Sequence, residues 1–222
     1  MRSLLAGLLS IVLVAGCARS RQQQHAQASG EAPQVAILGD SVAHGAGDET
    51  GRGIAGNLVR QLNAVVSNLG INGARTTDVF RLLQTGAAKK AIANADAIVV
   101  SIGGNDLYGD SVARFLAAVW PALHMTRTLD RVAAIVTRLH TINPAARIYI
   151  LGLFDPYRLP ELDRQVAMWD SSLIARFADD ADVDVVRIAD LFAYTSRFSS
   201  VDHFHPGAAG YAAIATRIVS TW

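Results

Sequence analysis

One cysteine, Cys17, is present in 222 residues. The chain can therefore form no internal disulfide and no multi-cysteine metal site, and packing must hold the fold. A dominant charge is also missing. With 20 basic and 19 acidic side chains the formal net charge is +1, so there is no broad positive field of the kind that gathers nucleic acid. Charged residues are only 18% of the chain and hydrophobic ones 51%, a balance that excludes a disordered polymer and fills one sizeable core. The most conspicuous uncharged stretch, Leu4 to Gly16, is 13 residues long and falls short of the roughly 20 that cross a bilayer as a helix. No internal repeat is present.

That stretch follows Met1-Arg2-Ser3 and reads as a secretory signal rather than as part of the fold. It ends in Leu13-Val14-Ala15-Gly16-Cys17, which resembles the lipobox of bacterial lipoproteins, where a lipidated cysteine becomes the mature N-terminus. The expected organisation is a signal peptide over 1–16, a lipidated Cys17 with a polar tether over 17–33, and one domain over 34–222. The expected location is the bacterial cell envelope, with the membrane as partner through the lipid anchor. Several acyl chains on one terminus would hold it there, since each buried methylene contributes about 0.8 kcal/mol.

From Gln34 onward, short aliphatic runs alternate with longer amphipathic stretches, the pattern of an α/β fold with a parallel sheet covered by helices. Strands are expected at Val35–Leu38, around Val65–Val66, at Ala97–Ile102, at Arg147–Leu151 and at Val183–Val186. Helices are expected from Ile54 to Val66, after a cap at Thr77, from Thr128 to His140, from Asp163 to Ala178 and from Ala208 to Val219. Asn68 to Gly73 reads as a turn-rich loop.

Ligands of open α/β sheets sit beyond the carboxyl ends of the strands, and four loops there carry chemistry. Gly39-Asp40-Ser41 follows the first strand and presents a hydroxyl at a helix start, although an Asp-Ser pair is also an ordinary helix cap. Gly70 lacks a side chain, which lets its amide approach a ligand. Gly103-Gly104-Asn105-Asp106 ends the third strand, and the Asn105 amide can donate to a developing oxyanion. Asp202-His203-Phe204-His205-Pro206 supplies a base. A serine hydroxyl needs one, and histidine suits the role near neutrality. His205 lies one turn from Asp202 and is the better-placed base, with His203, whose side chain is expected to diverge from adjacent Asp202, as its competitor; a metal cluster of Asp202, His203 and His205 is the other reading of this loop.

The ordered series Gly39-Asp40-Ser41, Gly70, Gly103-x-Asn105-Asp106 and Asp202-x-x-His205-Pro206 resembles the SGNH/GDSL hydrolase superfamily, and Leu38 to Asp48 is similar to its bacterial lipoprotein members. Val42 replaces the leucine of the family's name, and His44 is a polar addition without an assigned role. The resemblance implies a flavodoxin-like three-layer α/β/α sandwich with about five parallel strands. It also implies Ser41 as nucleophile, His205 as general base and acid, and Asp202 as orienting carboxylate. The oxyanion hole would use the backbone amides of Ser41 and Gly70 with the Asn105 side chain, and no cofactor or metal is required. Asp106 is expected to brace its own loop.

The implied activity is a serine esterase or lipase acting on acyl esters through an acyl-enzyme. Two connections, Leu107 to Pro121 and Phe154 to Trp169, contain Leu107, Tyr108, Phe115 and Trp120, then Phe154, Tyr157, Leu159, Met168 and Trp169, which suit the walls of an acyl site, although each aromatic can equally pack its own helix into the core. A carbohydrate O-acetyl esterase of envelope glycans and a noncatalytic ligand-binding lipoprotein are the alternatives. For the anchor, Cys17→Ser is expected to move the protein out of the membrane fraction, and unchanged fractionation would contradict the lipobox reading.

Overall fold

The computed structural model describes residues 31–108, 122–193, 198 and 201–222. The proposed signal, Cys17 and most of the tether lie outside these residues, as do Phe115 and Trp120. Five strands, β1 (Gln34–Gly39), β2 (Val65–Gly70), β3 (Ala97–Ser101), β4 (Arg147–Leu151) and β5 (Val183–Val186), form one parallel sheet in the order β2-β1-β3-β4-β5. Eight α-helices and one 3-10 turn (Ala189–Phe192) accompany them among the described residues: α1 (Ser41–His44), α2 (Gly53–Leu62), α3 (Thr76–Leu82), α4 (Gly86–Ala93), α5 (Gly104–Tyr108), α6 (Ala122–Ile142), α7 (Pro160–Arg176) and α8 (Ala208–Thr221).

The period of two along a strand divides the core into two layers. Ala36, Leu38, Ile98, Val100, Ile148 and Ile150 face α3, α4, α6 and α7 through Val79, Ile92, Ile135 and Trp169. Their neighbours Val35, Ile37, Val99, Tyr149 and Leu151 face α2 and α8 through Leu58, Tyr211, Ile214 and Ile218. Burial on both faces is why β1, β3 and β4 read as unbroken apolar runs. Each buried aliphatic side chain contributes roughly 1.5–3 kcal/mol, and this packing stabilises a chain without cross-links.

Three expectations need correction. The helix expected to reach Val66 stops at Leu62, where Asn63 takes a left-handed φ of 54° and turns the chain into β2. Asn68 to Gly70, expected in a loop, belongs to β2. This strand pairs only with β1 and is mostly exposed, so polar Ser67 and Asn68 are tolerated on it. Thr77 is not a cap: α3 starts one residue earlier, and the N–H of Arg75 at its N-cap donates to Asp78 Oδ2 at 2.9 Å. Helix α4 is an addition to the expected elements, and Thr85 caps it by accepting the N–H of Ala88.

The end of β1 is a close approach between backbones. Gly39 has φ +133°, and a Cβ there would overlap the carbonyl oxygen of Ser101. Gly39→Ala is therefore expected to cost about 3 kcal/mol or more, from backbone strain and displacement of β3. Urea denaturation of the variant measures this, and a wild-type midpoint would contradict the stated packing.

Candidate active site

Strand order reverses at β1, with β2 on one side and β3 on the other, and the segments leaving these three strands converge there. Ser41 opens α1. Its predecessor Asp40 is the N-cap and accepts the N–H of Val42 at 3.0 Å. The Asp-Ser pair thus caps a helix, as its composition allows, and also presents Ser41. The N–H of Asp40 donates to Ser101 O at 2.9 Å, and Ser101 Oγ donates back to Asp40 Oδ1 at 3.0 Å. Asp40 is buried. Desolvation pushes its carboxyl up to about 6, against the opposing pull of the bonds from Ser101, Val42 and Ala43.

The C-terminal loop reaches this point from 164 positions away, and His205 Nε2 lies 3.0 Å from Ser41 Oγ. His205 Nδ1 lies 2.7 Å from Asp202 Oδ2. A carboxylate can only accept, so Nδ1 carries the proton and Nε2 is left to accept from the Ser41 hydroxyl. Asp202 Oδ1 meanwhile accepts the N–H groups of Phe204 and His205 at 2.9 and 3.0 Å. Partial burial raises the Asp202 carboxyl, but the bonds from the His205 ring and these two amides outweigh it and hold the group below its ordinary value. His203 takes a left-handed φ of 53° and makes no hydrogen bond to Ser41 or Asp202 among the described residues.

Asn105 lies in α5. Its Nδ2 donates to Ala74 O at 2.9 Å, which uses one of two amide hydrogens. Asp106 braces the same loop onto α3, accepting the Thr76 N–H at 2.9 Å and the Thr76 hydroxyl at 2.7 Å. Gly70 does not fill the place expected of it. Its N–H donates to Asn68 Oδ1 at 2.9 Å, and a Cβ there would overlap the backbone of Ala43 and His44. Gly70 is a packing residue that lets α1 lie on β2, and its amide is committed elsewhere. The N–H groups of Ser41 and Gly73 have no acceptor among the described residues. Gly73 immediately precedes Ala74, whose carbonyl anchors Asn105. The signal for Gly73 was present in Asn72-Gly73, the second glycine of the same loop. His44 closes this corner by bonding Gly70 O through Nδ1 at 3.1 Å.

Two further contacts were not legible beforehand. Tyr211 Oη donates to Ala46 O at 2.6 Å, and the Ala208 N–H donates to Glu49 Oε2 at 3.1 Å. Both tie the start of α8 to the loop after α1 and so fix the distance between His205 and Ser41. Of the expected wall residues, Tyr108 and Phe154 line the cavity beside Ser41, joined by Phe204. Trp169 is instead fully buried against Gly103, and Met168 is exposed on the outside of α7. Tyr157 packs against Phe204 with ring centroids 5.9 Å apart, and Phe204 meets His205 edge-on at 4.9 Å.

The model of the GDSL-like lipase/acylhydrolase family matches residues 37–213. The chain is similar to a Bacillus subtilis protein named "Uncharacterized protein YpmR", at 28% identity over 98% of this chain and 92% of that one. Among solved structures it is similar to the lipase Lip_vut3 from a goat rumen metagenome, with TM-score 0.70, 18% identity, and coverage of 85% of this chain and 96% of that one. It is also similar to a mutant of Axe2, an acetyl-xylooligosaccharide esterase from Geobacillus stearmophilus. That match has TM-score 0.62 and 16% identity, covering 86% and 94% of the two chains. These structural likenesses bear on the fold, which is the three-layer α/β architecture described above.

The buried carboxyl of Asp40 gives a stability signature. Its ordinary value is 3.8 and its folded value about 6, so the folded state keeps a proton that the unfolded chain has lost. This favours folding at low pH and is lost as pH rises through the folded value, a change on the order of 3 kcal/mol. Asp40→Asn is expected to gain stability relative to wild type between pH 4.5 and pH 7.5, read from urea midpoints at both. An offset between the two proteins that does not change with pH would contradict it.

Proposed function

From the fact that the chain belongs to the GDSL-like lipase/acylhydrolase family, we propose that it is a carboxylic ester hydrolase using Ser41, His205 and Asp202 as a catalytic triad. The observation that carries this reading is the connected path from Asp202 Oδ2 through the His205 ring to Ser41 Oγ, with steps of 2.7 and 3.0 Å. His205 Nε2 takes the Ser41 proton as Oγ attacks the ester carbonyl carbon. Asp202 keeps the ring oriented and stabilises its cation. The tetrahedral intermediate collapses when the same proton passes to the leaving alcohol, and an acyl-Ser41 remains. Water, activated in turn by His205, then releases the acid and restores the serine.

The negative oxygen of each intermediate is received by the N–H of Ser41, the unused Nδ2–H of Asn105 and the N–H of Gly73, rather than that of Gly70. Among the described residues two of these donors have no acceptor, and Asn105 keeps one hydrogen free while the other anchors it. Such donors meet full charge only as the intermediate forms, so they lower the barrier selectively. A noncatalytic binder has no use for a base at hydrogen-bond distance from a hydroxyl. The Cys17 anchor, the exported location and the membrane as partner are part of the same proposal; among the described residues no helix is long and apolar enough to cross a membrane.

Ser41→Ala is expected to abolish ester hydrolysis in a protein that still folds, and a fluorophosphonate probe is expected to label wild type at Ser41 alone. Asn105→Ala is expected to lower kcat by about a hundred- to a thousandfold. Undiminished turnover by Ser41→Ala, or a folded wild type that hydrolyses no ester and never labels, would remove the mechanism.

A further inference from the structure

The cavity beside Ser41 has a volume of ≈ 40 Å³. That is a small space beside a candidate nucleophile, and the residues around it set how much of a substrate it can take. Its walls are apolar, with Tyr108 from α5, Leu153 and Phe154 from the segment after β4, and Ile188 from the segment after β5. Asp40 and Ser101, bonded to each other at 3.0 Å, also line it. An alkyl chain extended as far as this pair would lie against a buried carboxylate and hydroxyl while offering neither a bond, which is unfavourable.

The walls are also cross-braced. Tyr108 Oη donates to Phe154 O at 3.2 Å, linking the α5 side to the β4 side. The N–H of Leu153 donates to Asp170 Oδ1 at 3.3 Å, and Asp170 is buried under Gly152, where a Cβ would already overlap its carboxylate. Leu153 and Phe154 are themselves 8% exposed. Widening the space therefore means breaking a hydrogen bond or displacing a buried carboxylate.

We propose that this cavity receives the acyl group of the substrate and limits it to short chains, acetyl to about butyryl, so that the enzyme is a short-chain acylesterase rather than a hydrolase of long fatty esters. This rests on the reading of Ser41 as the nucleophile. It narrows the expectation that the aromatic and aliphatic loop residues wall an acyl site, which left the chain length open: Tyr108 and Phe154 line the small space, and Trp169 and Met168 take no part in it.

The test is a series of p-nitrophenyl esters with acetyl, butyryl, octanoyl and dodecanoyl groups, run on wild type and on Leu153→Ala. Forcing extra methylenes against braced walls has a cost that translates to about a ten- to hundredfold lower rate, so kcat/KM is expected to drop by that factor between butyrate and octanoate. Leu153→Ala is expected to raise the octanoate-to-butyrate ratio about tenfold. Octanoate and dodecanoate turned over as well as butyrate by a wild type that labels at Ser41 would overturn the short-chain limit while leaving the esterase reading intact. No turnover of any ester together with no labelling would overturn the esterase reading itself. If Leu153→Ala does not fold, Ile188→Ala serves in its place, and an unchanged ratio in either folded variant overturns the assignment of the cavity.

Discussion

Two hydrogen bonds between Asp40 and Ser101 join the ends of neighbouring strands at the point where the strand order turns back. One is backbone to backbone and continues the sheet; the other is side chain to side chain and buries a carboxylate. Together they fix where α1 begins relative to β3, and hence where the Ser41 hydroxyl stands relative to the loop bearing Asn105. A carboxyl so poorly hydrated is a costly anchor. Its retention beneath the candidate nucleophile is explained by position, since it caps α1 and grips β3 at the same time.

Hydrogen bonds likewise hold the other candidate side chains of the site in place. Asn105 hangs from Ala74, and Asp106 pins α5 to the first turn of α3. Asp202 shapes its own loop with one oxygen and orients the imidazole with the other. Tyr211 and Glu49 clasp the start of α8 to the loop after α1. Hydrogen bonds of this kind are individually modest, about 0.5–1.5 kcal/mol each, but they leave the site little freedom to rearrange. A polar group that is already aimed needs no reorganisation when charge develops in front of it.

Much of this was legible in the residues because the underlying physics is local. Buried parallel strands must be apolar on both faces, so β1, β3 and β4 announced themselves, and Asp202-x-x-His205 spans the one turn that brings carboxylate to imidazole. What escaped was set by partners distant in sequence. The edge position of β2, which lets Ser67 and Asn68 sit in a strand, depends on pairing with β1 on one side only. The choice between Gly70 and Gly73 turned on whether Asn68 occupies an amide, and composition carries no trace of that bond. The wall residues sorted by the same logic: Trp169 was drawn into the core because Gly103 leaves room for an indole, a matter of three-dimensional fit rather than of hydropathy.

The separation of Ser41 from His205 along the chain also orders events during synthesis. A ribosome releases the segment from β1 through β3 long before the last helix, so the hydroxyl and the two strands that position it can be in place while the imidazole is still untranslated. Until α8 emerges and docks through Tyr211, that alcohol is an ordinary one. On the proposed mechanism, a chain stopped before the C-terminal loop would carry the hydroxyl without its base, however well its sheet had formed.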